Sequence, residues 1–151
     1  GTIDFYDNKN DLVFQTTREE KDHLVLQLGV PTPELAIAAT KVVYVCGVSL
    51  TGSEKDVSAI DINMGCPKQF SVQGNMGSAL LKTPDMRVVC VLLLFVNVDR
   101  EGLVKNTTLP VSCKIRLLDG PVENTIDFMK RLVDSGASAI TLHLRYTDDR
   151  P

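Results

Sequence analysis

Apolar residues gather in four short, nearly continuous runs: Leu24 to Leu28, Ser58 to Ile62, Pro110 to Ile115 and Ser138 to His143. Runs of this length with little polar interruption predict parallel strands covered on both faces. Helical signals lie between them. Thr32-Pro33-Glu34 reads as an N-cap, a proline at the first helical position and an early acid, opening a helix to about Val43. A second helix is expected over Pro121 to Asp134, with Val122, Ile126, Met129 and Val133 on one stripe and Gly136 as its stop. Strand-helix alternation of this kind predicts an α/β fold with a parallel sheet, either doubly wound or a (β/α)8 barrel. Leu12 to Phe14 is a further short strand candidate in a polar lead-in.

Side chains alternate faces along a strand, and here the alternation separates two chemistries. Val111, Cys113 and Ile115 share one face, against Ser112, Lys114 and Arg116. Ile140 and Leu142 oppose Thr141 and His143, Ile60 and Ile62 oppose Asp61 and Asn63, and Leu26 and Leu28 oppose Gln27. Each strand therefore has an apolar face and a face that turns polar toward its C-terminal end. Four such strands in series predict a shared polar site at the C-terminal mouth of a barrel. A lysine placed there needs an anionic or electron-rich partner, because burying an unpaired charge costs several kcal/mol.

Directly beyond the second run comes Asn63-Met64-Gly65-Cys66-Pro67-Lys68, then Gly74-Asn75-Met76-Gly77. The turn presents the Cys66 thiol where α/β enzymes keep their chemistry. Thiols ordinarily titrate near pH 8.5 and are mostly protonated at neutral pH, so a cysteine so placed can act as an acid. The glycine pair fits either a turn or a set of backbone N–H groups facing an anion. Cys113 falls on the apolar face and reads as core, and His23 lies in a charged stretch and reads as surface.

Composition narrows the field. The chain has 151 residues, 44% apolar and 23% charged, the balance of one ordinary domain or part of one. A net charge of −3 gives no overall basic field, and no DNA partner is expected. The four cysteines are widely spaced with no Cys-x-x-Cys and no paired histidines, which argues against zinc and against a secreted disulfide framework. Val88 to Val96 is too short to span a bilayer, so no membrane partner and a cytoplasmic location are expected.

In order along the chain, Asn63-Met-Gly-Cys-Pro67, Gly74-x-Met-Gly77 with Leu80-Leu81, Cys113-Lys-Ile-Arg116 and His143-x-Arg145 resemble the tRNA-dihydrouridine synthases. Asp61 to Phe70 and Leu26-Gln-Leu-Gly29 are most similar to the eukaryotic Dus2 branch. The resemblance implies a partial (β/α)8 TIM barrel, roughly four of eight strands, that binds FMN and uses NADPH to reduce a uridine in the tRNA D-loop. It implies Cys66 as the general acid to C5 of uracil, Asn63 on the flipped-out base, and Gln27, Lys114, His143 and Arg145 at the FMN. Lys68 and the Gly74–Gly77 loop would help position the tRNA backbone. The family's first barrel strand, its last two strands and its C-terminal tRNA-binding domain are expected to lie outside this chain.

Three features depart from the family. His143-Leu144-Arg145 puts a leucine where His-Gly-Arg is usual. Residues 44–55 and 87–102 interrupt the helices after the first and second strands, and are expected to be insertions. Two other readings stay open: another FMN-barrel oxidoreductase, such as a dihydroorotate dehydrogenase-like enzyme, and a non-catalytic truncated remnant.

Overall fold

The computed structural model describes residues 2–45, 57–83, 85, 87–89, 91, 97–99, 102–104, 107 and 109–149. Four strands form the central sheet: β3 (Val25–Leu28), β4 (Ala59–Asn63), β7 (Val111–Arg116) and β8 (Ala139–His143). All neighbours are parallel, and their spatial order equals their order in sequence. A doubly wound sheet reverses its strand order at a switch point. Sequential order without reversal is instead the pattern of consecutive units of a (β/α)8 barrel.

Helices connect these strands. Helix α1 (Pro33–Val45) is opened by Thr32, whose Oγ1 accepts the Leu35 N–H at 3.4 Å. Between β4 and β7 lie the short α2 (Gln69–Gln73) and a 3-10 helix (Gly77–Lys82), and residues 85, 87–89 and 91 are also helical. Helix α3 (Val122–Asp134) has Pro121 at its N-cap, and Gly136, with φ of +98°, ends it as the sequence predicts. Two antiparallel hairpins lie outside the sheet: β1 (Thr2–Tyr6) with β2 (Leu12–Thr17), and β5 (Asn97–Asp99) with β6 (Gly102–Val104). Phe5 and Phe14 stack across the first, with ring centroids 5.3 Å apart.

The core holds the apolar sheet face, Ile60, Ile62, Val111, Cys113 and Ile115, together with Ala36, Phe128 and Leu132 from the helices. Cys113 is core, as expected. Of the stripe expected on α3, only Met129 packs against the core. Thr125, Phe128 and Leu132 face inward, while Val122, Ile126 and Val133 are exposed. The buried face follows the large aromatic, and it tolerates Thr125 because that hydroxyl accepts the Leu118 N–H at 3.0 Å.

The first unusual stretch begins inside α1, which runs through Val45, and residues 46–56 lie outside the described residues. Within the second, Arg87 is fully buried over the Phe128 ring, 5.0 Å from its centroid. Among the described residues none of its guanidinium nitrogens has a hydrogen-bond partner. Burial pushes its pKa down to about 9, and nearby Arg131 acts in the same direction.

Candidate active site

Strand register sets the site. In the parallel ladder Gln27 pairs with Asp61 and Asp61 with Ser112; one step on, Asn63 pairs with Lys114 and Lys114 with Thr141; beyond that, Arg116 pairs with His143. Paired residues share a face, so the structure brings Gln27, Asn63, Lys114 and His143 to one side of the sheet. Opposite them is the apolar core face.

A continuous hydrogen-bond relay crosses this polar face. Ser112 Oγ donates to Asp61 Oδ1 at 2.6 Å, and Gln27 Nε2 donates to Asp61 Oδ2 at 2.7 Å. Asn63 Nδ2 donates to Gln27 Oε1 at 3.0 Å. Asn63 Oδ1 in turn accepts the backbone N–H groups of Gly65 at 3.1 Å and Cys66 at 3.0 Å. The last residue of β4 thus folds the chain back into the turn that carries the thiol, an Asx-type turn.

Other contacts fix the same loop. The Met64 N–H donates to the Lys114 carbonyl at 2.8 Å, and Arg116 Nε donates to the Gly65 carbonyl at 2.7 Å. Arg116 is buried and also donates to the Tyr146 carbonyl at 2.9 Å, so it braces two loops rather than facing a ligand. Behind Cys66, the Ser78 N–H donates to its carbonyl at 2.9 Å. Gly77 there has φ of +58°, and a Cβ on it would lie 2.5 Å from the Cys66 carbonyl oxygen and 2.5 Å from Ser71 Oγ.

The glycine pair is therefore a packing device. Around it the N–H groups of Gly74, Asn75, Met76 and Ser78 are all taken by carbonyls, which leaves none of the four for an anion. Lys68 is exposed at the N-cap of α2. Arg145 is exposed in the loop after β8, its N–H donating to the His143 carbonyl at 2.8 Å. Leu144 is 74% exposed, so its branched side chain projects to solvent.

The mouth is cationic. The pKa of half-buried His143 is lowered by desolvation first, then by Arg116, Lys114 and Arg145. Neutral imidazole is therefore its favoured form. Lys114 is half-buried and, among the described residues, has neither a hydrogen-bond nor an ion-pair partner. A cavity of about 260 Å³ lies elsewhere, between the β3–α1 loop and the 3-10 helix, lined by Pro31, Thr32, Asn75, Ala79, Leu80 and Thr83. Its lining carries no acid, base or thiol, and we place the chemistry at the Cys66 mouth instead.

Register alone brought Asp61 and Ser112 into the site. Parity had put both on the polar face, where a carboxylate in mid-strand requires donors, but the identity of those donors needed the pairing.

Parallel strands in sequence order, with a polar mouth and a thiol-bearing loop at their C-terminal ends, define a segment of a (β/α)-barrel enzyme fold. The family model for dihydrouridine synthases (Dus) matches residues 5–150, and the chain belongs to that family. It is 40% identical over 141 residues to a Schizosaccharomyces pombe protein named tRNA-dihydrouridine(20) synthase, NAD(P)+, covering 93% of this chain and 26% of that protein. It is 42% identical over 145 residues to a Saccharomyces cerevisiae protein of the same name, covering 92% and 32% respectively. To the tRNA-dihydrouridine(16/17) synthase of Saccharomyces cerevisiae it is 31% identical over 127 residues. The chain thus spans a quarter to a third of the length of these relatives. Among the described residues, no helix is long and apolar enough to cross a membrane.

Proposed function

We propose that the protein carrying this chain reduces a tRNA uridine to 5,6-dihydrouridine with NADPH as reductant and FMN as cofactor. The observation that carries the reading is the pairing of Asn63, whose side chain holds the Cys66 turn, with Lys114 on one ladder step.

The residues present fit a flavin. A half-buried cation with no hydrogen-bond or ion-pair partner among the described residues suits the electron-rich edge of an isoalloxazine ring, and Gln27, His143 and Arg145 supply polar and cationic groups around it. When bound, FMN supplies the hydride that reaches C6 of uracil. The chain's own residues do the rest. Lys114 balances negative charge on the cofactor. Asn63 helps hold a base flipped out of its stack, which the reaction needs because the ring is otherwise inaccessible. Cys66 delivers its Sγ proton to C5 and returns to the thiol by taking one from water. Lys68, exposed beside the turn, contacts the tRNA phosphate backbone. The names of the yeast relatives support position 20 as the target and NAD(P)H as the reductant.

The test is to purify the intact protein, read flavin absorbance, and incubate it with NADPH and tRNA lacking dihydrouridine. Flavin colour together with new dihydrouridine supports the reading. A colourless protein that gains nothing from added FMN favours a non-catalytic remnant.

A further inference from the structure

Asp61 has no part in the chemistry above, yet it is only 8% exposed and is held by two short hydrogen bonds. A carboxylate can only accept, and a backbone N–H can only donate. The relay across the polar face ends in Asp61 at one side and in the Gly65 and Cys66 N–H groups at the other. Between them sit two amides, each free in principle to turn either way. With an acceptor at Asp61, Gln27 must offer Nε2 to it and Oε1 to Asn63. Asn63 must then offer Nδ2 to Gln27 and Oδ1 to the loop. Starting from the loop gives the same answer, so the two ends agree on both amide orientations.

We propose that Asp61 is a positioning residue: it sets the amide orientation of Gln27 and Asn63 and, through Asn63, the placement of the Cys66 turn. The inference rests on the dihydrouridine synthase reading only for its link to turnover. Its second consequence concerns recognition. Once the relay is made, each amide nitrogen has one N–H to spare. With the Lys114 ammonium, the mouth is rich in donors and suits ligand edges built from carbonyl oxygens and unprotonated ring nitrogens. Loss of Asp61 removes one of the two anchors, leaves the Gly65 and Cys66 N–H groups alone to hold the relay, and loosens Gln27 first and Asn63 through it.

The intact protein is compared as wild type, Asp61→Ala and Asp61→Asn. Asparagine at this position can still accept from Gln27 through Oδ1 while its Nδ2 donates to the Ser112 hydroxyl; alanine can do neither. Asp61→Ala is expected to lower kcat at least tenfold with the tRNA KM within twofold, and Asp61→Asn to recover it to within threefold of wild type. An unchanged kcat in the alanine variant overturns the proposal. So does an asparagine variant as slow as alanine, because charge rather than orientation would then matter.

A second readout needs neither cofactor nor turnover. The rate of Cys66 alkylation by iodoacetamide, followed on its own peptide by mass spectrometry, is expected to rise at least fivefold in Asp61→Ala and to stay within twofold in Asp61→Asn. Equal rates in all three overturn the proposal. If the alanine variant fails to fold, Asp61→Asn with Ser112→Ala replaces it. There nothing holds the asparagine Nδ2 away from Gln27, so alkylation should be at least threefold faster than in Asp61→Asn alone, and an equal rate overturns the proposal. A wild type without dihydrouridine activity would reject the functional reading while leaving the alkylation order to decide this one.

Discussion

Asn63 Oδ1 accepts the Cys66 backbone N–H at 3.0 Å, so the residue that ends β4 also sets the turn that carries the thiol. Because the same oxygen accepts from Gly65, Asn63→Ala leaves two donors without their partner. Each unsatisfied, partly buried group costs about 1–3 kcal/mol. With two such groups, Asn63→Ala is expected to lower unfolding free energy by about 2–6 kcal/mol and to lower kcat. Asn63→Asp keeps the acceptor but sets its second oxygen against Gln27 Oε1, and is expected to retain stability better than activity. Urea unfolding and steady-state kinetics on the same preparations separate the two effects.

Gly77 is the other support of the turn. Its φ of +58° disfavours a side chain, and a Cβ would meet the Cys66 carbonyl oxygen at 2.5 Å, a backbone atom that cannot swing aside. Left-handed backbone at a non-glycine residue costs of order 1–3 kcal/mol before any collision. Gly77→Ala should exceed that loss in denaturant unfolding and should lower activity at least tenfold by moving the thiol. Gly74→Ala, whose nearest neighbour is the movable Met76 Cε at 2.9 Å, should be milder.

His143 gives the site a pH signature. Desolvation, then Arg116, Lys114 and Arg145, hold its folded-state pKa below the ordinary 6.5. The unfolded chain then takes up more protons between the folded value and 6.5, so this residue's contribution to stability is present above 6.5 and is lost as pH falls through that window. NMR titration should give a midpoint below 6.5 in the cofactor-free intact protein. Lys114→Met should raise it, and a midpoint that ignores Lys114 would contradict the cationic mouth.

The two unusual stretches carry their own prediction. Arg87, fully buried and without a hydrogen-bond partner among the described residues, is a cost that the Phe128 ring beneath it offsets only in part. That observation supports reading residues 87–102 as an insertion into the family pattern. Residues 44–55 and 87–102 are proposed to be translated introns or gene-model errors, so mature transcript sequenced across both junctions is expected to lack them; transcripts that retain both would reject that reading.

Much of this architecture was legible in the residues. The four parallel strands follow from β-branched runs bounded by polar turns, and α1 and α3 from their start and stop signals. Parity alone placed Gln27, Asn63, Lys114 and His143 on one face, because a strand's alternation is rigid. On α3 the same reasoning chose the wrong stripe. A helix with aliphatics on one side and Thr125, Phe128 and Leu132 on another has two candidate faces, and tertiary packing chose the aromatic one. The first hairpin is legible only as Leu12 to Phe14, because the alternation of Ile3 and Phe5 about Asp4 in β1 is too short to stand out from a polar lead-in. Asp61, Ser112 and Arg116 needed register: their partners lie 34, 51 and 30 residues away in sequence.

The most direct test of the central claim is dihydrouridine in tRNA from cells that lack the endogenous synthase and express the intact protein, measured by nucleoside mass spectrometry. Wild type should restore the modification at position 20, and Cys66→Ala should leave it at a few per cent of that level or less while still binding flavin. Dihydrouridine restored equally by Cys66→Ala would contradict the assignment of this thiol as the proton donor.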